Sequence, residues 1–418
     1  MSKALRDTFR SLHYRNFRLF FSGQCISLIG VWLQNVAMGW LVYRLTGSEL
    51  LLGVTGFCEN LPMLVLTPFI GVLVDRWDRY RILLVTQTLC MLQAGVLAFL
   101  VLAGLVTVPA VLVLSVVLGS IMALDLTARQ AIWVFLVDDK RDLSNAIALN
   151  ASLFNVGRLL GPSLAGIVIA LIGEGLCFLL NSLSYIAVLA ALLAMRLTRA
   201  AKPAQVSPEG FFAHMTEGFR YVWNNRAIRY TMIMLAVCSV VAMQYLVMMP
   251  VFAIEVLQGD SVTLGFIVAG SGVGALVGTV YMAGRKDPRN LTRVINLGAA
   301  LAGFAFIFFA LSRSWWLSIL VMLFLSFGIM VILSPSNILI QTIVDEDKRG
   351  RVMSLYALCF SGMAPLGSLY MGAASEVWGA PATFIASGVA LLIIATIYPR
   401  MRGAVEAAVA AKTAESAI

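Results

Sequence analysis

The chain has 418 residues, of which 60% are hydrophobic and only 12% charged, and its mean hydropathy is +0.91. Soluble domains carry roughly 25% charged residues to cover their surface, so this composition excludes a water-soluble multidomain protein, a disordered chain and a coiled coil. It suits a molecule whose outer surface faces lipid.

Twelve apolar stretches are long enough to provide the ~20 residues that cross a bilayer as helix. In chain order they are 17–44, 50–74, 81–104, 109–135, 144–172, 175–196, 228–256, 262–283, 291–312, 315–341, 351–375 and 380–399, numbered below as spans 1 to 12. The first follows a basic start without a small-residue cleavage site, so it reads as a span and not as a leader. One long interruption, 197–227, separates six spans from six. Within it, Ser207-Pro208-Glu209 looks like a helix start. Phe211, Met215, Phe219 and Val222 then recur at helical spacing, which predicts an amphipathic helix on the membrane surface. The expected class is an all-α integral membrane protein of twelve transmembrane helices in two pseudo-symmetric six-helix bundles. Its expected divisions are an N-terminal bundle over 1–196, a cytoplasmic linker with its amphipathic helix over 197–227, a C-terminal bundle over 228–400 and a cytoplasmic tail over 401–418.

The net charge of +9 is a topology signal. With the N-terminus inside, 26 of the 30 basic residues fall on seven cytoplasmic segments, while Arg44 and Arg313 lie at outer ends and Arg129 and Arg158 inside spans. This is the distribution that positive-inside insertion produces, and it argues against nucleic acid as a partner. The expected location is a bacterial inner-membrane type of cell membrane, with both termini cytoplasmic.

The six cysteines all lie in apolar runs, with no C-x-x-C pair and no histidine cluster near them. They read as small packing residues, with no metal site and no cofactor implied. No nucleophile, metal cluster or acid–base pair near an interface suggests an enzyme.

A charge in hydrocarbon costs several kcal/mol, so it should face a cavity or a partner. Four residues qualify: Glu59 in span 2, Asp125 and Arg129 in span 4, and Arg158 in span 5. Asp125 and Arg129 share a helix face at spacing i, i+4. Counted from span ends, Glu59 and Asp125 both fall ~14 Å deep, near the midplane, where transporters of duplicated design hold substrate and coupling ions. Either carboxylate is a candidate proton carrier. Glu59, with no basic residue within a turn, is the better one. The alternative is that all four form a fixed network, with Arg158 as a cross-helix partner.

The halves echo each other: Asp139-Lys140-Arg141 precedes span 5 and Asp347-Lys348-Arg349 precedes span 11. Two segments carry a family resemblance. Gly71-Val72-Leu73-Val74-Asp75-Arg76-Trp77-Asp78-Arg79-Tyr80-Arg81 resembles motif A of the major facilitator superfamily. The resemblance makes Gly71, Asp75, Arg76, Arg79 and Arg81 an inner gate. Gly157-Arg158-Leu159-Leu160-Gly161-Pro162-Ser163-Leu164-Ala165-Gly166 resembles motif C of its proton-exchanging exporters, through Gly157, Gly161, Pro162 and Gly166. Further segments, among them Trp40-Leu41-Val42-Tyr43, Ala128-Arg129-Gln130 and Arg349-Gly350-Arg351-Val352-Met353-Ser354, are similar to the branch holding enterobactin-exporter-like and macrolide-efflux-like proteins. Thr127 and Phe135 depart from it, standing where proline and glutamate are expected; the second loss bears on pairing at the inner gate.

In that superfamily spans 1, 4, 7 and 10 line the cavity, which implies Gln34, Asn35, Met38, Gln244, Tyr245, Met248 and Asn337 as its polar and soft lining. The resemblance implies a monomeric alternating-access exporter, moving a small amphipathic, siderophore-like molecule in exchange for protons. A multidrug or macrolide pump is the alternative within the class. A non-transporting sensor or scaffold is the alternative outside it, disfavoured because the longest loop has only about 30 residues.

Overall fold

The computed structural model describes residues 9–137, 139–196, 211–285 and 290–415, and within them the side chains of all but 67–69, 71–76, 131, 134, 140, 211–215 and 413–415. Eleven helices among the described residues are long and apolar enough to cross a membrane. One of them, Leu143–Ala194, has 52 residues and would extend ~78 Å if straight, far beyond a ~30 Å hydrocarbon core. Gly173 breaks it with φ 80° and ψ 167°, a conformation open to glycine because it has no Cβ. The break makes it spans 5 and 6, and Glu174 just beyond it accepts an ion pair from Arg44 at the end of span 1. Among the described residues the protein is therefore an all-α membrane protein of twelve spans.

The remaining spans are Arg15–Thr46, Glu49–Arg76, Arg79–Leu102 and Val108–Ile132 in the first half. In the second half they are Arg226–Val256, Ser261–Ala283, Leu291–Leu311, Trp315–Ile343, Arg349–Trp378 and the helix beginning at Ala380. Large side chains left on the surface are apolar, for example Phe99, Leu171, Val280 and Trp316. Water would penalise such a surface, whereas lipid tails do not.

The helices form two compact units, one of residues 1–46 with 58–207 and the other of 47–57 with 208–418. In the first, span 1 is clasped between spans 5 and 6. A Cβ on Gly30 would meet Asn181 and Ser184 of span 6, and one on Gly161 would land on the Trp32 indole. The apolar core at one end of this unit gathers Phe17, Phe20, Leu83, Ile132, Leu136 and Leu192.

In the second unit the core is aromatic. Phe252 lies 4.8 Å from Phe309 and 4.5 Å from Phe384 between ring centroids, and Phe306 lies 5.2 Å from Phe384. Phe252 opens a single π-helical turn, Phe252–Val256, after Pro250 has interrupted the regular ladder of span 7. The start of span 2, residues 47–57, belongs here too: the Glu376 carboxylate of span 11 accepts from the Leu50 N–H at 2.8 Å and the Ser48 hydroxyl at 3.0 Å, capping the helix start.

The linker helix is Phe211–Asn224. Ser207, Pro208 and Glu209 lie outside the described residues, as do the side chains of Phe211 and Met215. Val222 is buried, and Phe219 is exposed and stacked on Trp223. Glu217 binds Lys348 at 2.7 Å and Arg351 at 2.6 Å, and Tyr221 donates to Asp345 at 3.0 Å. This amphipathic helix is tied by its polar side to the loop between spans 10 and 11 and to the first turn of span 11.

Candidate functional site: the buried polar network of the first unit

Asp125, on span 4, is 1% exposed. Its Oδ2 receives Arg129 Nη2 at 2.6 Å and Nε at 3.0 Å. Its Oδ1 receives the Thr86 hydroxyl at 2.8 Å and the Gln87 amide at 2.7 Å, both from span 3. The remaining Arg129 nitrogen donates to Gln24 of span 1. Every strong acceptor direction of the carboxylate is thus used, which is what keeps an ion stable at this depth. Gln24, Thr86 and Gln87 were not legible as site residues in the sequence; the signal available was polar side chains spaced inside apolar runs.

A second network holds spans 1, 3, 4 and 6. Asn181 donates to Gln34 at 2.7 Å, Gln34 to Gln93 at 3.1 Å, and Gln93 to the Leu114 carbonyl at 3.3 Å. Gln34 is therefore an interhelical clamp with both amide atoms engaged. Met38, Tyr245 and Met248 are also buried, with the Tyr245 ring edge-on to Phe306 at 6.1 Å. Of the residues taken as cavity lining, Asn35 is exposed and Gln244 and Asn337 are partly so. Gln244 accepts from Ser368 at 3.4 Å, and Asn337 accepts from Gln341.

Glu59 is half-buried, and among the described residues its carboxylate has no hydrogen-bond or ion-pair partner. Its carbonyl lies against Gly119 of span 4. Asp125 is six residues beyond Gly119, about 9 Å along the helix axis. The two acids are therefore not level: the ~14 Å depths run from opposite faces, Glu59 from the start of span 2 and Asp125 from the end of span 4. Arg158 is half-buried and forms no ion pair among the described residues. The four charges do not form one network there; Asp125 and Arg129 meet, and the other two stand apart.

The side chains of Asp75 and Arg76, and the surroundings of Gly71, lie outside the described residues. Asp78 caps span 3 by accepting from the Tyr80 N–H at 2.9 Å, and Arg81 is exposed. Arg79 sits over the Phe135 ring, 5.9 Å from its centroid. A cation–π contact thus occupies the place where a glutamate would have made an ion pair. In the motif C segment, Gly157 faces Leu28 and Gly161 faces Trp32, so span 5 seats on span 1 at this point. Pro162 and Gly166 follow in the same helix.

Just before span 1 the N-terminal turn Arg10–His13 is tied to the first unit. Arg10 pairs with Asp142 at 2.8 Å, Tyr14 donates to the same carboxylate at 2.9 Å, and Ser11 donates to Asn145 at 2.7 Å. Donation to Asp142 pushes the Tyr14 hydroxyl above its ordinary value, and the Arg141 guanidinium holds Asp139 below its own.

The family model of transmembrane secretion effectors, a major facilitator group, matches residues 7–416. The chain belongs to that family. Among its relatives, the Staphyloferrin A transporter of Staphylococcus aureus is 24% identical over 389 residues, covering 91% of this chain and 95% of that one. The Multidrug efflux pump Tap of Mycolicibacterium fortuitum is 27% identical, covering 88% and 91%. The crystal structure of a bacterial homologue of the human lysosomal transporter Spinster superposes with a TM-score of 0.70 at 14% identity, over 96% of this chain and 98% of that one, a likeness of fold. As a member of this family the protein is a membrane transporter of the efflux kind for small molecules.

Proposed function

We propose that the protein exports a small amphipathic molecule from the cytoplasm in exchange for protons, by alternating access, with Glu59 as the proton carrier. The contrast between the two intramembrane acids carries this reading. Asp125 accepts four hydrogen bonds, two of them from the Arg129 guanidinium to one oxygen, so protonating it would break a satisfied network. Glu59 has no such partner among the described residues, and a carboxyl at that depth exchanges its proton with whatever solvent reaches it.

A siderophore-like anionic substrate is favoured by Arg158, which forms no ion pair among the described residues, and by the likeness to a transporter named for a siderophore. The likeness to a pump named for several drugs supports multidrug efflux as the second reading.

The deciding experiment uses purified protein in proteoliposomes, with a carboxylate-rich siderophore and a macrolide as alternative substrates. Glu59→Gln should abolish transport driven by a pH gradient and leave substrate counterflow intact. Gradient-driven transport in the variant would assign coupling elsewhere. A preference for the macrolide would select the second reading.

A further inference from the structure

Two open clefts occupy matching places in the two units. The first is lined by Asp78, Arg81, Val85 and Leu89 of span 3 and its cap, against Leu124 of span 4. The second, of about 550 Å³, is lined by Asn290, Arg293, Leu297 and Leu301 of span 9 and its cap, against Phe327 and Val331 of span 10. Each of these span 3 residues has its counterpart 212 positions later: 78 to 290, 81 to 293, 85 to 297 and 89 to 301. The duplicated fold has kept the cleft, while its charge has changed. In the first unit the Asp78 carboxylate offsets Arg81. In the second, Asn290 stands at that position, with φ 64°, and Arg285 adds a second cation.

Arg285 lies 5.7 Å from the centroid of the Tyr281 ring and donates to its hydroxyl at 3.2 Å. Among the described residues neither Arg285 nor Arg293 pairs with a carboxylate. Glu406, on the tail helix Arg402–Glu415, is taken by Arg402 at 2.6 Å and Thr292 at 3.1 Å. Arg285 and Arg293 are exposed at the end of span 8 and the start of span 9, while Leu297, exposed, and Leu301, half-buried, continue along span 9 away from them.

We propose that this second cleft is a binding site for an anionic phospholipid, with the phosphate at Arg285 and Arg293 and an acyl chain along Leu297, Leu301 and Phe327. A cationic head end joined to an apolar trough complements that ligand. The first cleft, where Asp78 accompanies Arg81 among the described lining residues, does not select an anion. The site is independent of what the protein transports. Near a bilayer surface each arginine contributes roughly 5-fold to binding of an acidic lipid, so the pair provides about 25-fold.

Native mass spectrometry of the detergent-purified full chain tests this, with phosphatidylglycerol and phosphatidylcholine as probes. The wild type should retain phosphatidylglycerol in preference, and Arg285→Gln with Arg293→Gln should weaken that binding about 25-fold while leaving phosphatidylcholine binding unchanged. Leu297→Asn, at an exposed position, should weaken it without any change of charge. Arg313→Gln, at the opposite end of span 9, should not. Retention of the lipid by the double arginine variant, equal loss in Arg313→Gln, or displacement by excess inorganic phosphate would each overturn the proposal, the last by making it a site for a free anion.

Discussion

Arg129 closes on Asp125 one helical turn away, with Nη2 2.6 Å and Nε 3.0 Å from the same carboxylate oxygen. The pair is buried, the Arg129 side chain being 15% exposed, so its partners are bound to each other more than to water. Removing one charge strands the other. Asp125→Asn should therefore destabilise the protein by roughly 3–5 kcal/mol, read as a lower melting temperature in detergent. Adding Arg129→Gln should restore much of the loss, because no buried charge then remains. A single variant as stable as the wild type would show the pair to be solvated.

Span 5 meets span 1 through Gly161 and the Trp32 ring, where a Cβ has no room. Gly161→Val should cost about 1–3 kcal/mol through overpacking, and Trp32→Ala in the same chain should relieve part of it. Thermal unfolding of the two single variants and the double variant gives the coupling directly. Strict additivity would mean that the two residues do not touch.

Glu376 caps the start of span 2 through the Leu50 N–H and the Ser48 hydroxyl. Glu376→Ala leaves both donors without this acceptor and should lower stability by about 1 kcal/mol, the usual size of a lost helix cap. Glu376→Gln keeps an acceptor oxygen and should lose less. Equal losses in the two variants would make the effect one of charge instead of capping.

Asp345 sits where the tail helix and the linker helix meet. Lys412 at 2.7 Å and the Tyr221 hydroxyl at 3.0 Å hold its carboxyl below the ordinary value of 3.8. A depressed carboxylate stabilises the folded state fully above its unfolded value, and the contribution fades as pH falls below 3.8 through the folded-state value. The difference in melting temperature between wild type and Asp345→Asn should be present at pH 6 and shrink as pH falls below 3.8. A difference that persists in acid would remove ionisation from the explanation.

Orientation is tested by reporter fusions. Gln205 and Lys140 should report cytoplasmic and Asp260 external, as the basic segments require. An external signal at Gln205 would reverse the topology.

Helices and their ends were legible because they depend on local properties. An apolar run of bilayer length forms a helix wherever it sits, since lipid offers the backbone no other hydrogen-bond partners. Even the division of Leu143–Ala194 follows from its length and from Gly173. The pairing of Asp125 with Arg129 was legible for the same reason, because four residues make one turn. What the tertiary structure decided is which groups from different helices meet. Gln34 looks free in the sequence and is held by Gln93 and Asn181, and Asp125 takes two of its donors from span 3. Glu59 and Asp125 look level and are offset by about 9 Å along span 4. Periodicity tells which residues share a face but not which helix that face meets. That register is set by contacts between residues distant in the chain, such as Gly119 against the Glu59 carbonyl and Gly161 against Trp32, where small side chains let the backbones approach.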